Sequence, residues 1–307
     1  MIILNLTGGL GNQLFQIHAA LSLANFDEEI EVEWGLGNPR LNDENLPEIT
    51  SFTLPERINL LPKSKTQNLF LTKVLGFTLR SQHNPGNITG FKPINLAITY
   101  ICTILFSLHY RKHLSLICPK DLGFVNIDRK SKNVLLNGYF QSYIWPESVE
   151  ENIISSEKSN LDEYKELANL ELPIIVHVRR GDYKKEAGFG LLGSEYYKLG
   201  LEYIYSKTEF RNIWLFSDEP EIAVQVVPPE YRKITRVFSN SSFNSADTLR
   251  VMSLGKAFVI ANSTFSWWAA FASNSTVVVA PTTWFRAIED PLELIPPTWH
   301  RIYPHYE

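Results

Sequence analysis

The sequence has little cysteine, lacks an Asp-x-Asp motif and carries no excess of positive charge. Its two cysteines, Cys102 and Cys118, form no C-x-x-C pair, which excludes a disulfide scaffold and predicts two buried thiols in a reducing compartment. Without Asp-x-Asp or a His/Cys/Asp cluster, no metal site is expected. Because 29 Lys and Arg residues stand against 33 Asp and Glu residues, no global positive field exists to hold nucleic acid, and any anion needs a local site.

Long hydrophobic runs are also missing. Residues 94–116 are strongly apolar, but their uninterrupted stretch is shorter than the roughly 20 residues of a membrane-spanning helix. A buried core helix is expected there; the alternative is a surface helix that rests on a membrane, with Arg111, Lys112 and His113 near the lipid headgroups. The amino terminus has no basic region before its apolar run, so a first strand is expected instead of a secretory signal. We therefore expect a cytoplasmic protein, at the inner face of the plasma membrane if the surface helix is present.

The length of 307 residues favours two domains, at a prior of roughly 150 residues each. Hydrophobic residues make up 44% and charged residues 20%, which is typical of a soluble globular enzyme and excludes wholesale disorder. We expect the boundary near residue 155, which gives an N-terminal α/β domain at 1–155 and a C-terminal Rossmann-like domain at 156–307.

The first thirty residues predict the βαβ opening of an α/β domain. The pattern gives a strand at 2–6, a glycine-rich turn at 7–11, a helix at 12–25 and a strand at 30–34. Residues 35–93 are rich in Asn and Pro with weak periodicity, which is typical of loops and short helices. A strand is predicted at 133–140, and the polar, helically spaced residues 146–168 are predicted to bridge the domains.

From residue 173 onward, apolar β-branched runs alternate with helical runs, as a parallel α/β unit requires. Strands are predicted at 173–179, 212–217, 234–238, 257–261 and 276–280. Helices are predicted at 194–207, 245–255 and 263–273. Polar loops follow the carboxyl ends of these strands, which is where a ligand crevice is expected in such a sheet.

The turn Gly8-Gly9-Leu10-Gly11-Asn12-Gln13 lies between a strand and a helix, where unobstructed backbone amides suit a phosphate or a sugar. A tight βα turn without a ligand is the simpler alternative. As a dinucleotide fingerprint the turn fails in part, because Leu14 stands where a third small residue is needed. Glu31 and Glu33 stand where a ribose-binding acid would, which keeps a dehydrogenase among the alternatives.

A second constellation, His177-Val178-Arg179-Arg180-Gly181-Asp182, ends a buried strand. Two adjacent guanidinium groups are costly there unless a ligand or an acid neutralises them, and arginine binds phosphate oxygens with two prongs. Strand alternation sends His177 and Arg179 to one face, so we assign Arg179 to a ligand and Arg180 to a structural pair with an acid such as Asp182. A purely structural ion-pair network is the alternative.

Two further strand ends carry polar residues. Phe216-Ser217-Asp218-Glu219 alone could be no more than a helix cap. Asn262-Ser263-Thr264-Phe265-Ser266-Trp267-Trp268 begins a helix directly after a strand, where amides and hydroxyls can meet an anion. An ordinary N-cap is the alternative, and the two tryptophans are expected in the core. Two anion-friendly turns plus Arg179, all at strand ends, predict a diphosphate ligand.

Jointly these motifs resemble bacterial α-1,2-fucosyltransferases of glycosyltransferase family 11. The resemblance runs in order from residue 7 to about residue 285 and rests on four segments: Gly8–Gln16, His177–Tyr183, Phe216–Asp218 and Asn262–Trp268. It implies a GT-B architecture, with two Rossmann-like domains facing across a cleft, the first on the acceptor side and the second holding GDP-fucose. It also implies metal-independent transfer, with inversion, to the 2-hydroxyl of a terminal galactose in an oligosaccharide or a lipid-linked O-antigen unit.

The resemblance also implies roles for individual residues. His177 would face guanine, Arg179 the diphosphate, and Asp247 the hydrogen-bonding edge of the base. Donor contacts are likewise implied for Gly9, Gly11, Asn12, Asp218, Asn262, Ser263, Thr264 and Phe265, with Asn12 reaching toward the fucose and Ser263, Thr264 and Phe265 enclosing the phosphates.

Catalysis is expected from Arg179, because negative charge grows on the departing β-phosphate as the glycosidic bond breaks. Asp182 and Glu186 are both candidates for the base that takes the acceptor proton, while Asp182 could instead orient an arginine. The alternatives are another fucosyl linkage, an NAD-dependent oxidoreductase and a carbohydrate-binding protein without catalysis.

Overall fold

A computed structural model describes residues 1–34, 46–61, 76–79, 97, 100–101, 104–105, 114–129, 131–151, 153–154, 161–238, 243–273 and 275–307. The chain divides into two compact units. Unit 1 comprises Met1–Ile153 together with Pro291–Leu294, and unit 2 comprises Ile154–Asp290 with Ile295–Glu307. Each unit is a parallel sheet with helices, so the α/β class of two Rossmann-like units, as in the GT-B type, is confirmed.

The sheet of unit 1 has five parallel strands in the order β3-β2-β1-β5-β4. They are β1 (Ile2–Leu6), β2 (Ile30–Trp34), β3 (Ile58–Leu61), β4 (Ser115–Ile117) and β5 (Val134–Leu136). The predicted bounds of β1 and β2 are confirmed, and the predicted strand at 133–140 is shortened to β5. The sequence did not predict β3, because its four residues lie in a segment with weak alternation.

Helix α1 (Leu10–Leu23) covers this sheet and begins two residues earlier than predicted, directly after Gly9. Its run of apolar residues is buried almost all round, including Leu14, Phe15 and Ile17. The predicted bridge at 146–168 contains two shorter helices, α2 (Ile144–Glu147) and α3 (Asp162–Glu171), and the residues between 154 and 161 lie outside the described part.

The sheet of unit 2 has six parallel strands in the order β11-β10-β9-β6-β7-β8. They are β6 (Ile174–Val178), β7 (Ile213–Ser217), β8 (Thr235–Phe238), β9 (Ala257–Val259), β10 (Val278–Pro281) and β11 (His300–Ile302). Read from β8 to β11, the chain order is 3-2-1-4-5-6, the doubly wound order of a Rossmann sheet. That order reverses between β6 and β9, which is the point where such sheets bind ligands.

Four helices of unit 2 are α4 (Ser194–Tyr205), α5 (Pro220–Val226), α6 (Ser245–Met252) and α7 (Thr264–Phe271). Three of them were predicted with boundaries within a few residues, and α5 was not. Strands β6 and β7 are buried throughout, as expected for a parallel sheet with both faces covered. Trp267 and Trp268 are buried, so their expected place in the core is confirmed.

The apolar segment at 94–116 is only partly described. Its described helical positions are exposed, namely Ala97, Tyr100, Ile101, Ile104 and Leu105, and the segment ends in strand β4 instead of a helix. The expected burial is therefore wrong at these positions, which share one face of a helix by their spacing. Within the described ranges, no helix is long and apolar enough to cross a bilayer.

The expectation of two buried thiols also needs correction. Cys118 is only half-buried, and it directly follows β4, which lies at the edge of the sheet among the described strands. Cys102 lies outside the described residues.

Candidate functional site

The predicted ligand residues of unit 2 gather at the strand-order switch point. Strand β6 ends at Val178 and leads directly into Arg179, while β9 leads into Asn262 and Ser263 at the start of α7. Because β6 and β9 are neighbouring parallel strands, their carboxyl ends meet at one edge of the sheet. The residues of both motifs therefore lie at the same edge of the sheet.

Arg179 is held between two carboxylates. Its Nη2 lies 2.8 Å from Oδ1 of Asp182, and its Nη1 lies 3.0 Å from Oδ2 of Asp218. Its guanidinium carbon also lies 5.5 Å from the centre of the Tyr183 ring. The side chain keeps 32% of its surface exposed, and a guanidinium has five N–H donors, so donors remain for a ligand.

Asp218 fixes the turn that carries Arg179. Its Oδ1 accepts a hydrogen bond of 3.0 Å from the backbone N–H of Arg180. A Cβ on Gly181 would lie 2.6 Å from Oδ2 of Asp218, so a larger residue there would have to displace this carboxylate. Asp218 therefore orients Arg179, and its predicted contact with the donor stays a prediction.

Arg180 points away and is paired structurally, as strand alternation predicts. Its two terminal nitrogens bind both carboxylate oxygens of Glu307 at 2.7 and 2.9 Å, and its Nε lies 3.7 Å from Glu219. Lys184 pairs with Glu219 as well. The expected pairing of Arg180 with Asp182 is wrong. The Asp182 carboxylate is bound by Arg179, which precedes it by three residues.

The net charge of this cluster is slightly negative, because it contains three cations and four carboxylates. The cations are Arg179, Arg180 and Lys184, and the carboxylates are Asp182, Asp218, Glu219 and Glu307. Arg180 thus belongs to a structural ion-pair network, which was the alternative from the sequence. Arg179 also has two carboxylate partners but keeps exposed surface, and its assignment to a ligand stays a prediction. Of its two carboxylates, Asp182 is the more exposed, at 40% against 15% for Asp218, and is the one that an incoming anion can displace.

His177 is buried near the ring of Phe265, with the ring centres 6.2 Å apart. Burial, and next the charge of Arg179, lower the pKa of His177 to about 3. Its Nδ1 has no hydrogen-bond partner in the part of the chain that the structure describes. A neutral imidazole with an open nitrogen can bind a neutral polar edge such as that of a base.

Asn262 links the loops that follow β6 and β10. Its side-chain nitrogen donates to the carbonyl oxygens of Phe189, Gly190 and Trp284 at 2.9, 3.2 and 3.0 Å, and its backbone carbonyl accepts from the Tyr183 hydroxyl at 3.0 Å. The side-chain oxygen Oδ1 has no hydrogen-bond partner among the described residues. A contact of Asn262 with the donor stays a prediction.

Helix α7 begins as the sequence predicts, with Ser263 as its N-cap. The Ser263 hydroxyl accepts a hydrogen bond of 3.4 Å from the N–H of Phe265. A helix start leaves four N–H groups without an intrahelical partner, so others remain for an anion. Thr264 and Phe265 are half-buried there, whereas Ser263 is buried and its hydroxyl serves the cap.

Asp247 lies in the first turn of α6 and has partners at both carboxylate oxygens. Oδ2 accepts 2.8 Å from the Asn244 amide, and Oδ1 lies 3.0 Å from the guanidinium of Arg250. The Asn244 side chain in turn caps the helix by accepting from the Asp247 N–H at 2.8 Å. A carboxylate has about four acceptor positions, so this pairing leaves room for the predicted base contact.

Glu186 follows the 3₁₀ turn Asp182–Lys184 and is exposed. It forms no ion pair with any residue in the described ranges. Of the two candidate bases, Asp182 is thus engaged by a guanidinium and Glu186 is open.

The glycine turn belongs to unit 1 and is built as a tight βα turn. Gly8 has φ +76°, which disfavours other residues, and a Cβ there would also lie 2.6 Å from the amide nitrogen of Asn12. Gly9 is the N-cap of α1, and Gly11 is buried in its first turn. Gly9, Gly11 and Asn12 therefore lie together in unit 1, and the other predicted site residues lie in unit 2.

The anion at this turn is supplied by the protein. Oε2 of Glu48, from the 3₁₀ helix Glu48–Ser51, accepts a hydrogen bond of 2.9 Å from the N–H of Leu10. A phosphate at the same place would meet this carboxylate, which argues against the phosphate of the expectation, and the sugar stays a prediction. Sequence patterns do not point to Glu48, because it lies 38 residues from Leu10 in a segment with weak periodicity.

The glutamines of the motif serve the fold. Gln13 donates to the carbonyl of Gly8 at 2.9 Å and accepts from the N–H of Ile49 at 2.9 Å. Gln16 accepts from the N–H of Thr7 at 3.0 Å and donates to the carbonyl of Gly138 at 2.8 Å. Together they fasten the glycine turn to its neighbours.

The acidic residues expected at a ribose lie on β2. Burial, and next the charge of Glu31, raise the pKa of Glu33. Across the described ranges, no group of three His, Cys, Asp or Glu residues is arranged to hold a metal ion.

Comparison with known proteins gives one family match: the model of glycosyl transferase family 11 matches residues 123–291, more than half of the chain. An α-1,2-colitosyltransferase of Escherichia coli is 33% identical over 161 residues, which cover 47% of this chain. The O-antigen biosynthesis glycosyltransferase WbnK of Escherichia coli is 32% identical over 118 residues, which cover 36% of this chain. The chain spans 52% and 38% of the lengths of these two relatives.

Two solved structures are similar along most of their length. The ADP-heptose LPS heptosyltransferase II of E. coli has a TM-score of 0.45 at 13% identity, covering 98% of this chain and 90% of that one. The fucosyltransferase NodZ from Bradyrhizobium has a TM-score of 0.48 at 11% identity, covering 89% and 92%.

Proposed function

The chain belongs to glycosyl transferase family 11, and on that premise we propose that it transfers fucose from GDP-fucose to the 2-hydroxyl of a terminal galactose. The acceptor is an oligosaccharide or a lipid-linked O-antigen unit. The observation that carries the proposal is Arg179, which is partly exposed at the switch point of a Rossmann sheet, where β9 leads to the start of helix α7.

The leaving group is stabilised by cationic and N–H donors. The bond between the fucose C1 and a β-phosphate oxygen breaks, and its electron pair stays on the diphosphate. Arg179 and the first-turn amides of α7 bind the growing negative charge more strongly in the transition state than before it, which lowers the barrier. No metal ion takes part in this step.

The acceptor supplies the new bond. Its 2-hydroxyl oxygen attacks C1 from the face opposite the diphosphate, with inversion, and its proton passes to a base. We assign that role to Glu186, because its carboxylate is exposed and unpaired among the described residues. Asp182 is bound to Arg179 and acts by orienting the guanidinium.

We assign the base of the nucleotide to the uncharged side chains of His177 and Phe265. His177 has an unpartnered Nδ1 in the described structure, and Phe265 offers a half-buried ring beside it. Asp247 accepts hydrogen bonds from the guanine edge with its remaining lone pairs.

A second candidate differs in the sugar that is transferred. The relative that is 33% identical is named an α-1,2-colitosyltransferase, which favours colitose as an alternative donor sugar with the same linkage. The two candidates share the diphosphate site at Arg179, so a donor comparison separates them.

The test is incubation of the purified protein with GDP-fucose, or with nucleotide-activated colitose, and a panel of galactosides. We expect a fucosylated product with a 1,2 linkage by mass spectrometry and linkage analysis. Transfer of colitose alone would select the second candidate. Binding of galactosides without any product would favour a carbohydrate-binding protein and refute the enzyme.

A further inference from the structure

Tyr183 contacts both parts of the proposed diphosphate site. It lies in the 3₁₀ turn Asp182–Lys184 and is half-buried. The guanidinium carbon of Arg179 lies over its ring, 5.5 Å from the ring centre. Its hydroxyl donates a hydrogen bond of 3.0 Å to the backbone carbonyl of Asn262, directly before the start of α7 at Ser263. One side chain thus joins the arginine to the helix start.

The ring adds a third support to Arg179. Two of the guanidinium nitrogens already meet the carboxylates of Asp182 and Asp218. A cation within about 6 Å of a tyrosine ring centre is attracted to the face of that ring. The tyrosine therefore holds the cation over its ring without occupying an N–H donor, and it leaves the remaining donors to a ligand.

The hydroxyl fixes the peptide unit at which α7 starts. The carbonyl of Asn262 and the N–H of the N-cap Ser263 belong to one planar peptide group. By holding the oxygen, the Tyr183 hydroxyl also sets the direction of that N–H. Burial raises the pKa of Tyr183, against the lowering effect of the Arg179 charge, so the hydroxyl keeps the proton that it donates.

Phe189 fixes the tyrosine ring in turn. The two ring centres are 4.4 Å apart, with an angle of 31° between the ring planes. The backbone carbonyl of Phe189 accepts a hydrogen bond of 2.9 Å from the side-chain nitrogen of Asn262. Tyr183, Phe189 and Asn262 therefore form a closed set of contacts, and a shift of any one of them disturbs the other two.

We propose that Tyr183 is a positioning residue that couples Arg179 to the start of α7, so that both meet the same diphosphate in one fixed geometry. This inference rests on the proposed function. Donors that are fixed before the reaction stabilise the developing charge without reorganising, so their spacing affects kcat more than it affects donor binding.

Two variants separate the two contacts of Tyr183. Tyr183→Phe removes the hydroxyl and keeps the ring, whereas Tyr183→Leu removes both. The control is Tyr306→Phe, because Tyr306 is another half-buried tyrosine of unit 2, and its hydroxyl donates to the backbone carbonyl of Thr283 at 2.7 Å. Kinetics use GDP-fucose and the galactoside that the wild-type protein glycosylates fastest in the panel above.

We expect Tyr183→Phe to lower kcat about tenfold, the effect of one lost hydrogen bond expressed in the transition state. The KM of GDP-fucose should stay within about threefold of wild type. Tyr183→Leu should lower kcat further, because it also removes the ring that holds Arg179. Tyr306→Phe should keep the wild-type kcat, and thermal unfolding verifies that each variant is folded.

A double variant separates positioning from a general loss of stability. If Tyr183 acts through Arg179, its substitution matters less once the guanidinium is gone. The variant that combines Tyr183→Leu with Arg179→Lys should therefore lose less kcat than the product of the two single losses. Substitutions at residues that act independently give that full product.

Four outcomes overturn the inference. The first is a wild-type kcat in folded Tyr183→Phe and Tyr183→Leu, and the second is a full product of losses in the double variant. The third is an equal loss of kcat in Tyr306→Phe, which would attribute the effect to stability. If the wild-type protein transfers no sugar to any galactoside, the proposed function fails and the inference with it, and this result is seen before any variant is compared.

Discussion

Arg179 binds two carboxylates and still exposes donors, which a lysine in its place could not do. Lysine offers a compact point charge, whereas the planar guanidinium spans Asp182 and Asp218 and can grip phosphate oxygens with two prongs. We predict that Arg179→Lys lowers kcat about a hundredfold, the usual effect of removing one preorganised donor from a developing charge. Steady-state kinetics with GDP-fucose measure it.

The matched control for this substitution is Arg211→Lys, an arginine of the same unit that precedes β7 at the opposite edge of the sheet. It should retain wild-type kcat. Turnover close to wild type in Arg179→Lys would refute the role of the guanidinium at the leaving phosphate.

The buried histidines make stability fall in acid. Burial lowers the pKa of His18 from 6.5 to about 4, against the raising effect of its hydrogen bond to the Leu14 carbonyl. Between these two pH values the unfolded chain binds more protons than the folded one, so stability is full above pH 6.5 and falls below it. His18 should contribute about 3 kcal/mol to this loss by pH 4, and His177 acts with the same sign.

The measurement is the free energy of unfolding of wild type and His18→Gln from pH 7 to pH 4.5. We expect the variant to have the shallower pH dependence, whatever its stability at neutral pH. Equal slopes would contradict a neutral, buried His18.

At the start of helix α6, Asn244 has a structural role, and Asp247 in the first turn is the residue proposed to bind the nucleotide. The Asn244 side chain accepts the Asp247 N–H at 2.8 Å, which is an N-cap. We predict that Asn244→Ala lowers the free energy of unfolding by about 1 kcal/mol, the ordinary cost of losing a cap, and leaves GDP affinity within about twofold. Chemical denaturation and calorimetry give the two values.

Asp247→Ala should behave differently on the same helix. It removes the carboxylate assigned to the guanine edge, so we predict about a tenfold loss of GDP affinity by calorimetry. Because Asp247 also pairs with Arg250, some stability is lost as well. If GDP affinity were equal in the two alanine variants, the guanine contact would lie elsewhere.

The described part of the whole molecule contains two sheets, and each has polar residues at the carboxyl ends of its strands. In unit 2 these are a guanidinium and a helix start at the strand-order switch point, whose chemistry suits an anion. In unit 1 they are a carboxylate and amides, whose chemistry does not.

A prediction at this scale concerns metal ions. Since Arg179 and helix amides carry the leaving-group charge, transfer should proceed at the same rate in excess EDTA as without it. The rate of GDP release measures this. Complete loss of activity in chelator, restored by a divalent cation, would overturn the metal-free mechanism.

Regular stretches of the sequence predicted their elements well. Strands β1, β2, β6 and β7 follow runs of apolar residues, and α1, α4, α6 and α7 have matching helical runs. The short strands β3, β4 and β11 were not predicted, because a run of three or four residues shows too little alternation to identify a strand. Pairing with a neighbouring strand stabilises them, and that neighbour is distant in the chain.

The site divides in the same way. Arg179, Asp182, His177 and Ser263 were found from the sequence, because each directly follows or ends a strand and its chemistry is local. The partners that define their roles were not: Glu307 lies 127 residues from Arg180, and Gln141 lies 129 residues from Asn12. No pattern within a short window links such pairs.

The α/β class and the residues at the strand ends follow from the sequence alone, because hydrophobic periodicity and helix-start signals act over a few neighbouring residues. The family resemblance rests on the joint motifs. Which carboxylate meets which cation or amide depends on the tertiary structure. Glu48 binds at the start of α1, Asp182 pairs with Arg179, and the buried Gln141 Oε1 has no partner among the described residues. These outcomes depend on distances of a few ångströms between segments far apart in the chain, and electrostatic and hydrogen-bond energies change steeply over that range.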